Sequence, residues 1–464
     1  MREYQELLAR KRVAFKPSGL RRVPSLNAAM FPHQAHSTEF ALRAGCAALF
    51  LDTGLGKSLC ALDWGRIVVE KTNKPVLMLA PLAVGPQHQR EAEKFGIEAK
   101  YIREAQEITG PGIWITNYER MEHFDTTAFA GIILDESSIL KAMQGKTSRA
   151  LIAAFADTPY RLACTATPAP NDHTELGNHA EFLGIMNSNE MLSRWFINDT
   201  STASQSWRLK GHAVGSYWDW VASWARCVAK PSDLGFSDDG FILPQLVTEH
   251  HVVDADRSVD AGEDGNQARL FRMPENSATS IHKEKRLTVD KRATAIAAAV
   301  AGEPTEPWVV WCNTDNEADA LMRRIDGAIE VRGSMPPEKK EERLVAFSTG
   351  KQRILVTKPS IAGYGLNWQH CARMAFVGLD FSFEGYYQAV RRCWRFGQAR
   401  PVHVHVAMAD TERNIFESIA RKSMDHDKMR TQMAEAMRRA YHRAETRVAY
   451  NPTMNVRVPA WLRA

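Results

Sequence analysis

Short, continuous apolar runs alternate along this chain with longer stretches whose apolar residues recur at helical spacing. Five such runs lie in the first part, at 47–51 (AALFL), 76–80 (VLMLA), 113–116 (IWIT), 131–134 (GIIL) and 161–164 (RLAC). Five more lie in the second part, at 308–312 (WVVWC), 329–331 (IEV), 353–357 (RILVT), 375–379 (AFVGL) and 402–406 (VHVHV). Unbroken apolar strands separated by helical patterns predict parallel sheets buried on both faces. The chain is therefore expected to be α/β, with two lobes of the same kind. Ligands of such sheets sit at the carboxyl ends of the strands, and the polar punctuation falls there.

The first run leads into Thr53-Gly54-Leu55-Gly56-Lys57-Ser58 and then into a helical pattern (Leu59, Leu62, Ile67, Val68). A strand, a glycine-rich turn and a helix in that order form a phosphate cradle, because glycines let backbone N–H groups approach and the helix N-terminus favours an anion. Lys57 is expected to reach the β- and γ-phosphates and Ser58 to hold Mg2+. The strict pattern opens with glycine, where this chain has Leu51. About twenty residues earlier stands Phe31-Pro32-His33-Gln34, whose glutamine amide suits a purine edge. The run at 131–134 delivers Asp135 and Glu136. Asp135 offers a nucleotide-bound Mg2+ a hard oxygen, and Glu136 can orient or deprotonate water. In the second half, Arg392 and Arg395 are three apart, hence on one helical face, where two guanidiniums could clamp a transferring phosphoryl group. Arg391, one residue off that face, is expected on solvent or on a phosphate backbone.

Length and composition set the frame. At 464 residues the chain should form two or three domains, and 44% hydrophobic with 24% charged residues suits a soluble globular protein. The seven cysteines are scattered and never spaced CxxC, which argues for reduced thiols in a cytoplasm and against a zinc site. No apolar stretch is long enough to span a bilayer, so no membrane role is expected. A net charge of +5 permits a nucleic-acid partner without demonstrating one. The expected segments are a basic N-terminal arm (1–29), a first lobe (30–183), a tryptophan-rich insert (184–250), a linker and basic helix (251–304), a second lobe (305–420) and a basic tail (421–464). The arm reads either as a phosphate-contacting element or as a solvated helix and tail. The insert reads as a small helical unit that buries its aromatics, with a base-stacking surface as the alternative. In the tail, Met424, Met429, Met433 and Met437 read as a packing stripe, on a basic helix lying on the second lobe and touching DNA.

These motifs together resemble those of superfamily-two helicase-like ATPases of the Swi/Snf-type branch, in a compact form such as phages carry. DTGLGKS resembles motif I, LMLAPLAVGPQHQREAEKF motif Ia, WITNYE motif Ib, LDES motif II and CTATPAPN motif III. RGSMPPEKKEERLVAF with ILVTKPSIAGYGLNW resembles motifs IV to V, and QAVRRCWRFGQ resembles motif VI. Motif II departs from the family in reading Asp135-Glu136-Ser137-Ser138 rather than Asp-Glu-Ala-His. The resemblance implies two tandem RecA-like lobes with a P-loop in the first and a small helical insert between them. It implies an ATP hydrolase using ATP and Mg2+, with Lys57, Asp135, Glu136, Gln388, Arg392 and Arg395 in the chemistry. Gln34, Thr53, Gly54, Leu55, Gly56, Lys57, Ser58 and Gly365 would hold the nucleotide, with Ser58 and Asp135 on the metal. Asn117, Tyr118, Thr165, Thr167, Thr357, Lys358 and Asn367 would contact nucleic acid, with Thr165 and Thr167 linking the ATP site to the strand-binding face. The implied activity is translocation on DNA, duplex favoured over single strands, by a monomer in the cytoplasm (the host's, if phage-encoded). True strand separation, a weakly hydrolysing nucleotide switch and the motor subunit of a nuclease system are the alternatives.

Overall fold

The computed structural model describes residues 17–81, 84–142, 145–199, 206–255, 263–264, 267–268, 278–362 and 367–445. Helix α1 (Pro32–Ala44) precedes a first sheet built from β1 (Cys46–Leu51), β2 (Val76–Ala80), β3 (Ala99–Tyr101), β4 (Ile113–Asn117), β5 (Gly131–Asp135), β6 (Tyr160–Cys164) and β7 (Ala225–Val228). Its order is β3-β4-β2-β5-β6-β1-β7, with every pair parallel. Strands β1, β2, β4 and β5 are buried at every position, as a sheet covered on both faces requires. Strands β5, β6 and β1 are neighbours. The loops leaving their carboxyl ends therefore lie side by side, although they come from positions 136, 165 and 52 of the chain. Helix α2 (Lys57–Thr72) follows β1, and α3 (Gly85–Lys94) follows β2.

The second sheet holds β8 (Leu246–Val253), β9 (Trp308–Trp311), β10 (Ala328–Val331), β11 (Ile354–Thr357), β12 (Arg373–Phe376) and β13 (Val402–Ala409), in the parallel order β8-β13-β12-β9-β11-β10. The chain thus forms two tandem α/β lobes, each built on a parallel sheet. A long helix between the lobes in sequence, Ala278–Gly302, packs Ala293, Ile296 and Val300 onto the second sheet. Within it Arg292 is wholly buried, 2.9 Å from Glu317 and bonded to the Val377 carbonyl. A charge placed so deep needs these partners. Among the described residues, no helix is long and apolar enough to cross a membrane.

The stretch between the lobes does not stand apart as the sequence led us to expect. Its tryptophans are interior: Trp195, Trp218, Trp220 and Trp224 are buried, with Trp195 stacked on Trp220 at 4.7 Å, and Trp207 alone of the group is exposed. They belong to the same apolar core as Phe50, Leu79 and Leu134 of the first sheet. The segment then supplies β7 to the first sheet and β8 to the second. The helical insert is thus an integral part of the first lobe, its aromatics packed on one another and on the core of the first sheet.

The C-terminal helix also departs from expectation. It spans Arg413–Glu445, starts on the second lobe through Ile415 and Ile419, and crosses to the first, where Met429, Met433 and Met437 enter the tryptophan core. Met424 of the anticipated stripe is exposed. Three of its basic residues pair with first-lobe carboxylates: Arg430 lies 2.8 Å from Asp52, Arg438 3.1 Å from Asp233 and Arg439 3.0 Å from Asp219. Truncating a buried methionine leaves a cavity, so Met433→Ala should lower stability by about 2–5 kcal/mol. Urea unfolding followed by tryptophan fluorescence checks this, and an unchanged midpoint would mean the helix is not part of the core.

Candidate nucleotide-binding cleft

Gly54 and Gly56 adopt φ of +91° and +81°, a left-handed backbone that favours glycine. Each is also pressed by a neighbour. A side chain at Gly54 would meet the Phe396 ring, and one at Gly56 would meet the Gln34 amide. Gln34 is buried, donates from Nε2 to the Leu55 carbonyl at 3.0 Å and accepts from the Phe31 N–H at 3.0 Å. Its carbonyl and one N–H are therefore engaged within the chain, leaving its second N–H for any other partner. Through Leu55 it shapes the loop. Thr53 and Leu55 are buried, and Leu55 packs into the core behind the loop. Lys57 opens α2 and donates from Nζ to the Leu51 carbonyl at 2.8 Å.

Across the neighbouring strand end, Asp135 lies 2.8 Å from His88 Nε2 on α3. The Tyr118 hydroxyl donates to the Asp135 carbonyl at 2.6 Å. Burial pushes the Asp135 carboxyl up, but His88 overcomes it and holds the group below the ordinary range. Burial likewise pushes His88 down, and Asp135 reverses that and raises it, so the two form an ion pair. Glu136 is one of two non-glycine residues with positive φ among those described, at +53°. A left-handed glutamate at a strand end is strained by about 1–3 kcal/mol. The turn directs its carboxylate to the Thr165 hydroxyl, which donates to Oε2 at 3.2 Å. Burial pushes Glu136 up to about 7, with Asp135 and Glu384 adding to the shift and Lys57 and Arg392 opposing it.

The second lobe supplies the facing wall. Helix Phe383–Val390 ends before the two arginines, so Arg392 and Arg395 project from a turn rather than from one helical face. Tertiary anchors replace helical periodicity here: Trp394 Nε1 donates to the Pro244 carbonyl at 2.7 Å, and Phe396 inserts into the core of the first lobe. Gln388 accepts from Arg392 Nη2 at 3.0 Å on its side-chain oxygen and from Nε at 3.0 Å on its carbonyl, so it orients that guanidinium. Arg395 bonds to Asn367. Burial, with Arg392 and Arg391 nearby, lowers the Arg395 pKa to about 9. Arg391 is buried, not solvated as expected: it lies 2.8 Å from Asp52 and donates to the Thr53 carbonyl.

A cavity of about 390 Å³ is lined from the first lobe by Gln34, Thr53, Gly54, Gly56, Lys57, Ser58, Asp135 and Glu136, and from the second by Asn367, Arg392 and Arg395. The cleft thus unites residues more than three hundred positions apart. His88, Gln87, Glu91 and Lys94 also line it. Sequence reasoning missed His88, for it stands alone in an otherwise polar helix with no partner at ligand spacing. Gly365 lies outside the described residues.

Of the residues expected on nucleic acid, five are buried. Asn117 donates to the Tyr101 hydroxyl, Thr357 donates to the Val331 carbonyl, and Tyr118 is bonded to Asp135. The Thr165 hydroxyl accepts from the Thr167 N–H, and Thr167 Oγ1 is 3.5 Å from Glu384 of the second lobe. These side chains present no surface to a strand, which corrects that expectation. Lys358 pairs with Asp315 at 2.8 Å, and Asn367 faces the cleft. Ser137, the departure in motif II, is buried with its hydroxyl 3.1 Å from His179.

The raised Glu136 gives a stability prediction with a definite sign. Its folded pKa of about 7 exceeds the ordinary carboxyl value of 4.5, so the wild-type protein is favoured below pH 4.5 and loses that benefit as pH rises through 7. Glu136→Gln, which cannot ionise, should gain thermal stability over wild type from pH 5 to about pH 7 and level off by pH 8. Melting curves across that range check it, and a constant difference would contradict a buried, raised carboxyl.

Residues 291–397 match the family described as the helicase conserved C-terminal domain. Among solved structures, the chain is similar to the Sulfolobus solfataricus SWI2/SNF2 ATPase core in complex with dsDNA, at 16% identity and a TM-score of 0.41, over 88% of this chain and 94% of that one. No curated protein matches. The matched stretch runs from the long interlobe helix to Gly397, just past both cleft arginines, so the similarity falls on the second lobe.

Proposed function

We propose that this chain is an ATP hydrolase of the superfamily-two, Swi/Snf-type class, driving translocation on duplex DNA. The observation that carries the reading is the cleft in which Lys57, Ser58, Asp135 and Glu136 of one lobe face Arg392 and Arg395 of the other. In this reading the loop N–H groups and Lys57 bind the β- and γ-phosphates. Ser58 and Asp135, a hydroxyl and a carboxylate lining the same cleft, are oxygen donors that suit Mg2+. Mg2+, when bound, neutralises phosphate charge. Glu136, once ionised, accepts a proton from the attacking water, and the nearby Lys57 and Arg392 favour that ionised form. Arg392, oriented by Gln388, and Arg395 stabilise charge on the transferring phosphoryl group. Since each lobe holds half of the machinery, hydrolysis is coupled to lobe closure, a hinge-type cycle.

Duplex DNA as the track rests on the motif resemblance. The reading is tested by ATP hydrolysis with no nucleic acid, with duplex DNA, with single-stranded DNA and with RNA, beside Glu136→Gln. The expected result is strong stimulation by duplex and a loss of about 10²–10⁴-fold in the variant. Preference for single strands would favour strand separation. ATP binding without stimulation by any nucleic acid would replace the motor with a nucleotide switch, the reading that Ser137-Ser138 in motif II favours.

A further inference from the structure

Far from the cleft, at the edge of the second sheet, β8 and β13 run parallel with Val247 opposite His403, Glu249 opposite His405 and His251 opposite Ala407. Side chains of a strand alternate between faces, so this register puts Glu249, His251, His403 and His405 on the same face. Their polar atoms converge. His251 Nε2 is 3.0 Å from His405 Nδ1, and the two rings stack with centroids 5.3 Å apart. Glu249 Oε2 is 3.7 Å from the same His405 Nδ1, while its Oε1 is 3.3 Å from His403 Nδ1. Ligand atoms of Glu249, His251 and His405 all lie within 4.8 Å of one another.

We propose that Glu249, His251 and His405 bind a divalent transition-metal cation of the zinc type, clasping β8 to β13. Tetrahedral zinc with ligand bonds of about 2.0–2.2 Å separates its donor atoms by about 3.3–3.6 Å. The 3.0 and 3.7 Å separations about His405 Nδ1 bracket that range. Two imidazoles and a carboxylate, without a thiolate, suit zinc and its neighbours rather than magnesium or calcium. His405 is buried and packs against Trp308 at 5.1 Å, so one ligand is fixed before any ion arrives. Glu249 is exposed, which gives the ion a route from solvent. His403 supports the site from outside by holding the second oxygen of Glu249, as partners of metal-bound carboxylates do. The absence of CxxC spacing bears only on thiolate sites. The consequence is mechanical: β8 is the strand by which the chain leaving the first lobe joins the second, and the ion pins it there.

The test uses the untagged full chain, stripped with chelator, titrated with Zn2+ by calorimetry and with Co2+ by visible absorption. Wild type should take up one zinc at this site, melt at a higher temperature with zinc, and give Co2+ d–d bands. His251→Ala and Glu249→Gln, both near the strand edge, should each weaken binding at least tenfold and abolish the zinc-dependent melting shift, with far-UV circular dichroism unchanged. Absence of saturable zinc binding in wild type, or binding unaltered in both variants, would overturn the proposal.

Discussion

A single buried carboxylate, Asp52, joins the parts on which the cleft depends. It lies between β1 and the phosphate loop, 2.8 Å from Arg391 of the second lobe and 2.8 Å from Arg430 of the C-terminal helix, and it accepts from the Tyr387 hydroxyl. Burial alone would push this carboxyl up, but the two arginines overcome it and hold the group far below its ordinary range. An ionised group so placed tolerates no missing partner, since leaving a buried charge unpaired costs about 3–5 kcal/mol. Loop, arginine turn and C-terminal helix are therefore fixed as a set. Arg391 also holds the Thr53 carbonyl, so the lock bears directly on the loop that faces Lys57.

From Glu136 a second polar path crosses between the lobes. The Thr165 hydroxyl bonds to Glu136, the Thr167 N–H to that hydroxyl, and Thr167 approaches Glu384, which is held by Lys141 at 2.6 Å. Lys141 belongs to the first lobe and Glu384 to the second. The carboxylate expected to activate water is thus wired to the lobe that supplies the arginines, through threonines whose sequence motif suggested strand contact. Buried networks of this kind respond as a unit when one member moves.

How far the sequence could be read follows from the range of the forces involved. The apolar strands were legible because burial on both faces leaves unbroken runs such as VLMLA, and the loop was legible because glycine spacing reports local backbone. Lys57, Asp135, Glu136, Arg392 and Arg395 were located by motif, and they meet in one cleft. What failed was the expected direction of several other polar side chains. Arg391 and Arg392 are adjacent, yet only the second lines the cleft, because the helix ends at Val390 and Trp394 and Phe396 set the turn. Gln34 turned inward to the loop, and Tyr118, Thr165 and Thr167 to the interior. The tryptophans and the C-terminal methionines each announced burial, but that they bury one another is a contact across some two hundred residues. The histidine–glutamate cluster was invisible for the same reason: its strands pair only in the fold.

The central claim is that the two lobes share one hydrolytic site. Single-turnover hydrolysis by Arg392→Ala, with ATP binding measured on the same protein, tests it most directly. The account predicts binding within a few-fold of wild type and a hydrolysis rate reduced by about 10³-fold or more, as loss of an arginine that acts on the transition state requires. Hydrolysis within tenfold of wild type would place the chemistry in the first lobe alone and contradict the account.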